Sequence, residues 1–86
     1  MYAIKYAPDV IEKDLPVLDA SIRFKILKTI GKKLKDHPES YGKPLRQDLK
    51  GFYKLRIGDW RVIYEIKDSG SLVRIIKIGH RREVYE

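Results

Sequence analysis

The chain opens on an alternation in which Tyr2, Ile4 and Tyr6 interleave with Ala3 and Lys5, and Pro8 closes the run. Side chains two apart share a face of a strand, so the pattern predicts a half-buried first strand. From Pro8 the spacing changes. A first-turn proline, acids at Asp9 and Glu12, and apolar Val10, Ile11, Leu15 and Leu18 predict a first helix that Pro16 ends or kinks. Asp19 is placed to cap a second helix, in which Ile22, Ile26, Ile30 and Leu34 recur every four residues and Leu27 widens the stripe. Segment 37–44 is a polar connector carrying Pro38, Gly42 and Pro44, and no period returns until after Gly51. Strand patterning then resumes. In 52–57, Tyr53, Leu55 and Ile57 oppose Phe52, Lys54 and Arg56; in 60–66, Trp60, Val62, Tyr64 and Ile66 oppose Arg61, Ile63 and Glu65. Gly58-Asp59, with glycine first, predicts a II′ turn and hence an antiparallel hairpin. Asp68-Ser69-Gly70 predicts the next turn, and 72–78 a final, largely buried strand that Gly79 closes. The order β-α-α-β-β-β implies an α+β fold, with two N-terminal helices packed on one face of an antiparallel sheet.

Composition narrows the function classes. A chain of 86 residues, 43% hydrophobic and 36% charged, is expected to form one soluble domain spanning 1–86. Nineteen basic against twelve acidic residues leave +7, which favours a polyanionic partner, either nucleic acid or an acidic protein. The lack of cysteine excludes disulfide frameworks, thiol nucleophiles and Cys-based zinc sites. His37 and His80 are isolated and match no metal-ligand spacing, so neither metal nor cofactor is expected. No signal-like apolar segment occurs and no run approaches the roughly 20 apolar residues of a membrane span, so the expected location is the cytoplasm. Lys25, Lys28, Lys32 and Lys35 lie mostly off the apolar stripe of the second helix; a solvated face and a nucleic-acid contact both remain open for them.

Strand parity turns the second half into a site. Lys54 and Arg56 share the face opposite Tyr53, Leu55 and Ile57, and a regular hairpin puts Arg61 on that same face. Like charges on neighbouring strands repel, so the cluster costs stability unless an anion, a carboxylate such as Glu65, or solvent compensates it. Beyond Gly79 the chain adds His80, Arg81, Arg82 and Tyr85. Guanidinium groups suit phosphate oxygens and a tyrosine ring suits base stacking, which makes the hairpin face and tail together a candidate RNA site. Trp60 and Tyr64 have core parity and are read as packing residues.

The segment Leu49-Lys-Gly-Phe-Tyr-Lys-Leu-Arg-Ile-Gly-Asp-Trp-Arg-Val-Ile-Tyr-Glu-Ile, followed by Ile78-Gly-His-Arg-Arg-Glu-Val-Tyr85, resembles toxins of the RelE/ParE superfamily of type II toxin-antitoxin systems. The resemblance runs through the whole chain and implies the RelE-like fold. RelE-like members are ribosome-dependent mRNA endoribonucleases that inhibit translation, whereas ParE-like members poison DNA gyrase without nuclease activity. It implies functional roles for Lys54 and Arg56, scissile-phosphate contacts for Arg61 and Arg81, and a base-orienting ring at Tyr85. His80 stands where other members carry lysine. It also implies a cognate acidic antitoxin of the RelB kind, contact with the ribosome and mRNA, and operator DNA bound only through the antitoxin complex.

Chemistry constrains these roles. Cleavage by the 2′-hydroxyl needs a proton acceptor, cations on the developing phosphorane charge, and a donor for the 5′-oxygen. Arginine stays protonated, so Arg56, Arg61 and Arg81 are read as charge stabilisers. Proton transfer then falls to Lys54 or His80. A gyrase inhibitor has no need for these cations to converge, so the set favours the ribonuclease over the gyrase alternative; a plain RNA-binding module is a third reading.

Overall fold

The computed structural model describes residues 1–45, 51–67 and 71–84. Its strands are β1 (Ala3–Tyr6), β2 (Lys43–Pro44), β3 (Phe52–Ile57), β4 (Trp60–Lys67) and β5 (Leu72–His80), joined in one sheet of order β1-β5-β4-β3-β2. The helical layer comprises a π-helical segment Val10–Asp14, α1 (Ala20–Leu34) and α2 (Pro38–Tyr41). None of the described helices is long and apolar enough to cross a membrane.

The first predicted helix is realised only as the π-helical segment, where the Leu15 N–H donates to the Val10 carbonyl at 2.9 Å. Pro16 follows and has no N–H with which to continue it. Asp19 caps α1 as its sequence position predicts: its carboxylate accepts from the Ser21 N–H at 3.1 Å and from the Ser21 hydroxyl. These bonds hold the Asp19 carboxyl below its ordinary range. The stripe of α1 is buried at Ile26, Ile30 and Leu34, which pack with Val10 and Leu18 against Leu55, Ile57, Val62, Tyr64, Val73, Ile75 and Ile78 of the sheet.

Two features of the sheet depart from the expected pattern. It is antiparallel from β2 through β5, but β1 pairs parallel with β5 at the edge. The helices carry the chain from β1 to the far edge, and the β2-β3-β4-β5 meander brings it back beside β1 in the same direction. The connector also contributes structure of its own. Pro38 starts the short α2 at a position where its missing N–H is harmless, and Lys43–Pro44 adds an edge strand in which proline is tolerated. Tyr64 pins this connector. Its buried hydroxyl donates to the Pro38 carbonyl, its ring stacks on Tyr53 with centroids 5.5 Å apart, and burial raises its pKa far above the ordinary value.

β5 runs on past the end of β1, whose last partner is Ile75. Asp14 of the π-helical segment takes over that exposed edge: its carboxylate accepts from the Ile78 N–H at 2.9 Å and from Lys77 Nζ at 3.4 Å. A side-chain acceptor thus replaces a missing strand partner.

Candidate functional site

Cross-strand partners project to the same side of a sheet, so the register states which side chains share the face away from the helices. Lys43, Lys54, Ile63 and Lys77 form one row across β2, β3, β4 and β5. The adjacent row is Arg56, Arg61 and Gly79. Arg56 and Arg61 are therefore direct cross-strand neighbours, as parity predicts. Lys54 lies on the same face but is buried, at 9% exposure, between its Lys43 and Ile63 partners.

The β3-β4 turn gathers the arginines. Gly58 takes a left-handed φ of 60°, which glycine adopts at no steric cost, in keeping with its place in the predicted tight turn. Arg61 Nη1 donates to the carbonyls of Gly58 at 2.9 Å and Trp60 at 3.0 Å, which folds its guanidinium back toward the hairpin end. Arg81 reaches the same turn: its N–H donates to the Asp59 carbonyl at 2.8 Å, and its Nη1 stands 3.9 Å from the exposed Asp59 carboxylate. That ion pair is solvated and long, so it offsets little of the Arg81 charge. Among the described residues neither Arg56 nor Arg61 has an ion-pair partner. Glu65 lies four residues from Arg61 along β4, about 13 Å away, and faces Arg74 across the sheet.

His80 is placed differently. It pairs with Trp60, and its ring meets the indole edge-on at 5.3 Å, on the helix side of the sheet rather than the arginine side. Its Nδ1 accepts from the Arg82 N–H at 3.2 Å, and its carbonyl accepts from the Glu83 N–H at 2.7 Å, so His80 organises the turn that follows β5. That turn brings Val84 over Gly79, where a Cβ would come within 2.8 Å of Val84 Cγ2. Val84 is seated on the arginine face because the row ends in glycine. Tyr85 lies outside the described residues.

Sequence reasoning missed Lys43 and Lys77 on this face. Lys43 belongs to a two-residue strand too short to show a period. The side on which Lys77 emerges depends on the register shift between Ile63 and Tyr64, an irregularity that alternation cannot reveal.

A helical layer on one side of a five-stranded sheet is the RelE-like fold. The chain matches the family "ParE toxin of type II toxin-antitoxin system, parDE" over residues 4–85 and belongs to it. It is 38% identical over 73 residues to Toxin RelE of Mycobacterium tuberculosis, covering 85% of this chain and 75% of that one. To Toxin RelG of the same organism it is 30% identical over 84 residues, covering 98% and 95%. The toxin-antitoxin complex RelBE2 from M. tuberculosis contains a chain that superposes with a TM-score of 0.82 at 30% identity, covering 93% of this chain and 98% of that one. The protein is thus a toxin of a type II toxin-antitoxin system, similar to RelE and RelG.

Proposed function

We propose that the protein is a ribosome-dependent mRNA endoribonuclease. The observation that carries this reading is the convergence of Arg56, Arg61 and Arg81 at one hairpin end, with Lys54 on the same face. In the proposed reaction the RNA 2′-oxygen forms a bond to the adjacent phosphorus and gives up its proton, and the bond from phosphorus to the 5′-oxygen breaks as that oxygen gains one. The arginines stabilise the charge on the pentavalent phosphorus, and cross-strand repulsion between Arg56 and Arg61 is relieved when the phosphate arrives. Of the two groups considered for proton transfer, Lys54 shares the arginine face and His80 does not, so Lys54 takes that role and His80 holds the tail turn. Tyr85, two residues past Glu83, is assigned to base stacking.

A clustered cationic face, on which Arg56 and Arg61 have no ion-pair partner among the described residues, also suits an acidic antitoxin. The similar chain in the RelBE2 complex is held by its antitoxin, and we assign this chain a RelB-like partner that covers the basic face and supplies any contact with operator DNA.

The test is primer extension on an mRNA in a reconstituted translation system, with and without ribosomes, comparing wild type with Arg61→Ala, Arg81→Ala and His80→Ala. Ribosome-dependent cuts that both arginine variants lose are the expected result. Equal cutting of naked and ribosome-bound mRNA would count against ribosome dependence. Arrested cells with no cuts would redirect the assignment to DNA gyrase, which a supercoiling assay reads directly.

A further inference from the structure

Three successive carbonyls of the β3-β4 turn serve arginines. Those of Gly58 and Trp60 accept from Arg61 Nη1, and that of Asp59 between them accepts from the Arg81 N–H at 2.8 Å. Carbonyls need no particular side chain, so these bonds would form with any residue at the centre of the turn. The carboxylate of Asp59 adds what another residue would not. Its Oδ1 stands 3.9 Å from Arg81 Nη1, and among the described residues this is the ion pair that engages an arginine; the others hold Lys13 and Lys77. Main chain and side chain of Asp59 thus address the same residue, one fixing the Arg81 backbone and the other reaching its guanidinium.

We infer that Asp59 is a positioning residue for Arg81: its carboxylate holds the guanidinium by Nη1, so that the Nε–H and Nη2–H fork is presented to the scissile phosphate of the RNA. This role rests on the nuclease reading above and deepens it. A guanidinium carries five donors in a rigid plane, so one nitrogen can stay with a carboxylate while the other two meet a phosphate in bidentate fashion. Both partners are exposed, and the pair therefore offsets little of the Arg81 charge. Orientation is a separate effect. With the Arg81 backbone already tied to the turn, a weak attraction suffices to select among the remaining side-chain rotamers, and turnover follows the population of the productive one. The sign separates this role from two simpler ones. An acid beside a phosphate site repels RNA, so by charge alone its removal would tighten binding and leave turnover intact or faster. Aspartate is also a common turn residue, but asparagine serves a tight turn at least as well. Only positioning predicts that Asp59→Asn slows turnover without weakening binding.

The test has two arms, both on the full chain, with wild type, Asp59→Asn and Asp59→Glu. The first reads the order of the Arg81 side chain by NMR, as the heteronuclear NOE of its Nε–Hε group, assigned through its loss in Arg81→Lys. Asp59→Asn is expected to lower that NOE by roughly a third, from rigid toward flexible values, and Asp59→Glu to restore part of it. The second arm measures kcat and KM on ribosome-bound mRNA. Asp59→Asn is expected to lower kcat about two- to fivefold, the range of an exposed pair, with KM equal to wild type or lower, and Asp59→Glu to recover part of kcat. An Arg81 NOE unchanged in Asp59→Asn would overturn the positioning role. So would a kcat equal to or above wild type in that variant, which would leave charge alone, or full activity in Asp59→Asn with a loss in Asp59→Glu, which would leave a turn residue. Circular dichroism confirms that the variants fold. A wild type that cuts no mRNA would remove the catalytic role together with the nuclease reading, while the NMR arm still decides whether Asp59 holds Arg81.

Discussion

Gly42 has an extended backbone, φ −97° and ψ 157°, so its lack of a side chain answers to space and not to torsion. A Cβ there would stand 2.8 Å from Tyr64 Cζ and closer still to the hydroxyl. The ring cannot retreat: Tyr64 is fully buried, stacks on Tyr53, and donates to the Pro38 carbonyl. Gly42→Ala must therefore force the connector off the sheet or break the hydroxyl bond. Overpacking costs about 1–3 kcal/mol and orphaning a buried polar group about 1–3 more. We expect a net loss of about 2–4 kcal/mol, a large part of the roughly 4–13 kcal/mol available to a chain of this length. Urea unfolding followed through Trp60, the one tryptophan, reads this as a midpoint lower by about 1–3 M at unchanged slope. Tyr64→Phe removes the nearest obstructing atom, so the double variant should cost at least about 1 kcal/mol less than the sum of the singles. Strict additivity, or a Gly42→Ala midpoint equal to wild type, would refute the steric argument.

Asp14→Ala leaves the Ile78 N–H without its acceptor at the uncovered edge of β5, and should cost about 1–2 kcal/mol with faster amide exchange at Ile78. Asp14→Asn keeps an acceptor oxygen and should recover most of the protection; equal exchange in both variants would sink the edge-cap account. Asp19→Ala tests the cap of α1 through pH. The Asp19 carboxyl is held below its ordinary 3.8 by the Ser21 hydroxyl and backbone bonds, so its stabilisation is complete above that value and fades as pH falls through the lower folded one. Thermal midpoints of wild type and variant should differ at pH 6 and converge only below 3.8. A gap unchanged at pH 2 would contradict this.

The helix stripe, the Asp19 cap, the glycine-led hairpin and the shared face of Lys54, Arg56 and Arg61 were legible in the residues alone. Each follows from a period of two or about 3.6, or from a local capping rule, and such rules act over a few positions along the chain. What the tertiary structure decided is non-local. The two-residue β2 exists only because β3 offers an edge, and β1 lies parallel to β5 because the helices carry the chain across the sheet first. Pairing also decided His80: its parity is fixed by Trp60 opposite and by the register shift upstream, which turn it to the helix side while Gly79 clears room for Val84 on the arginine side. The lysines of α1 show the same division. Their spacing announced an exposed flank, but only the tertiary structure sets that flank across a groove from Arg56, Ile57 and Gly58, because concavity belongs to two elements together.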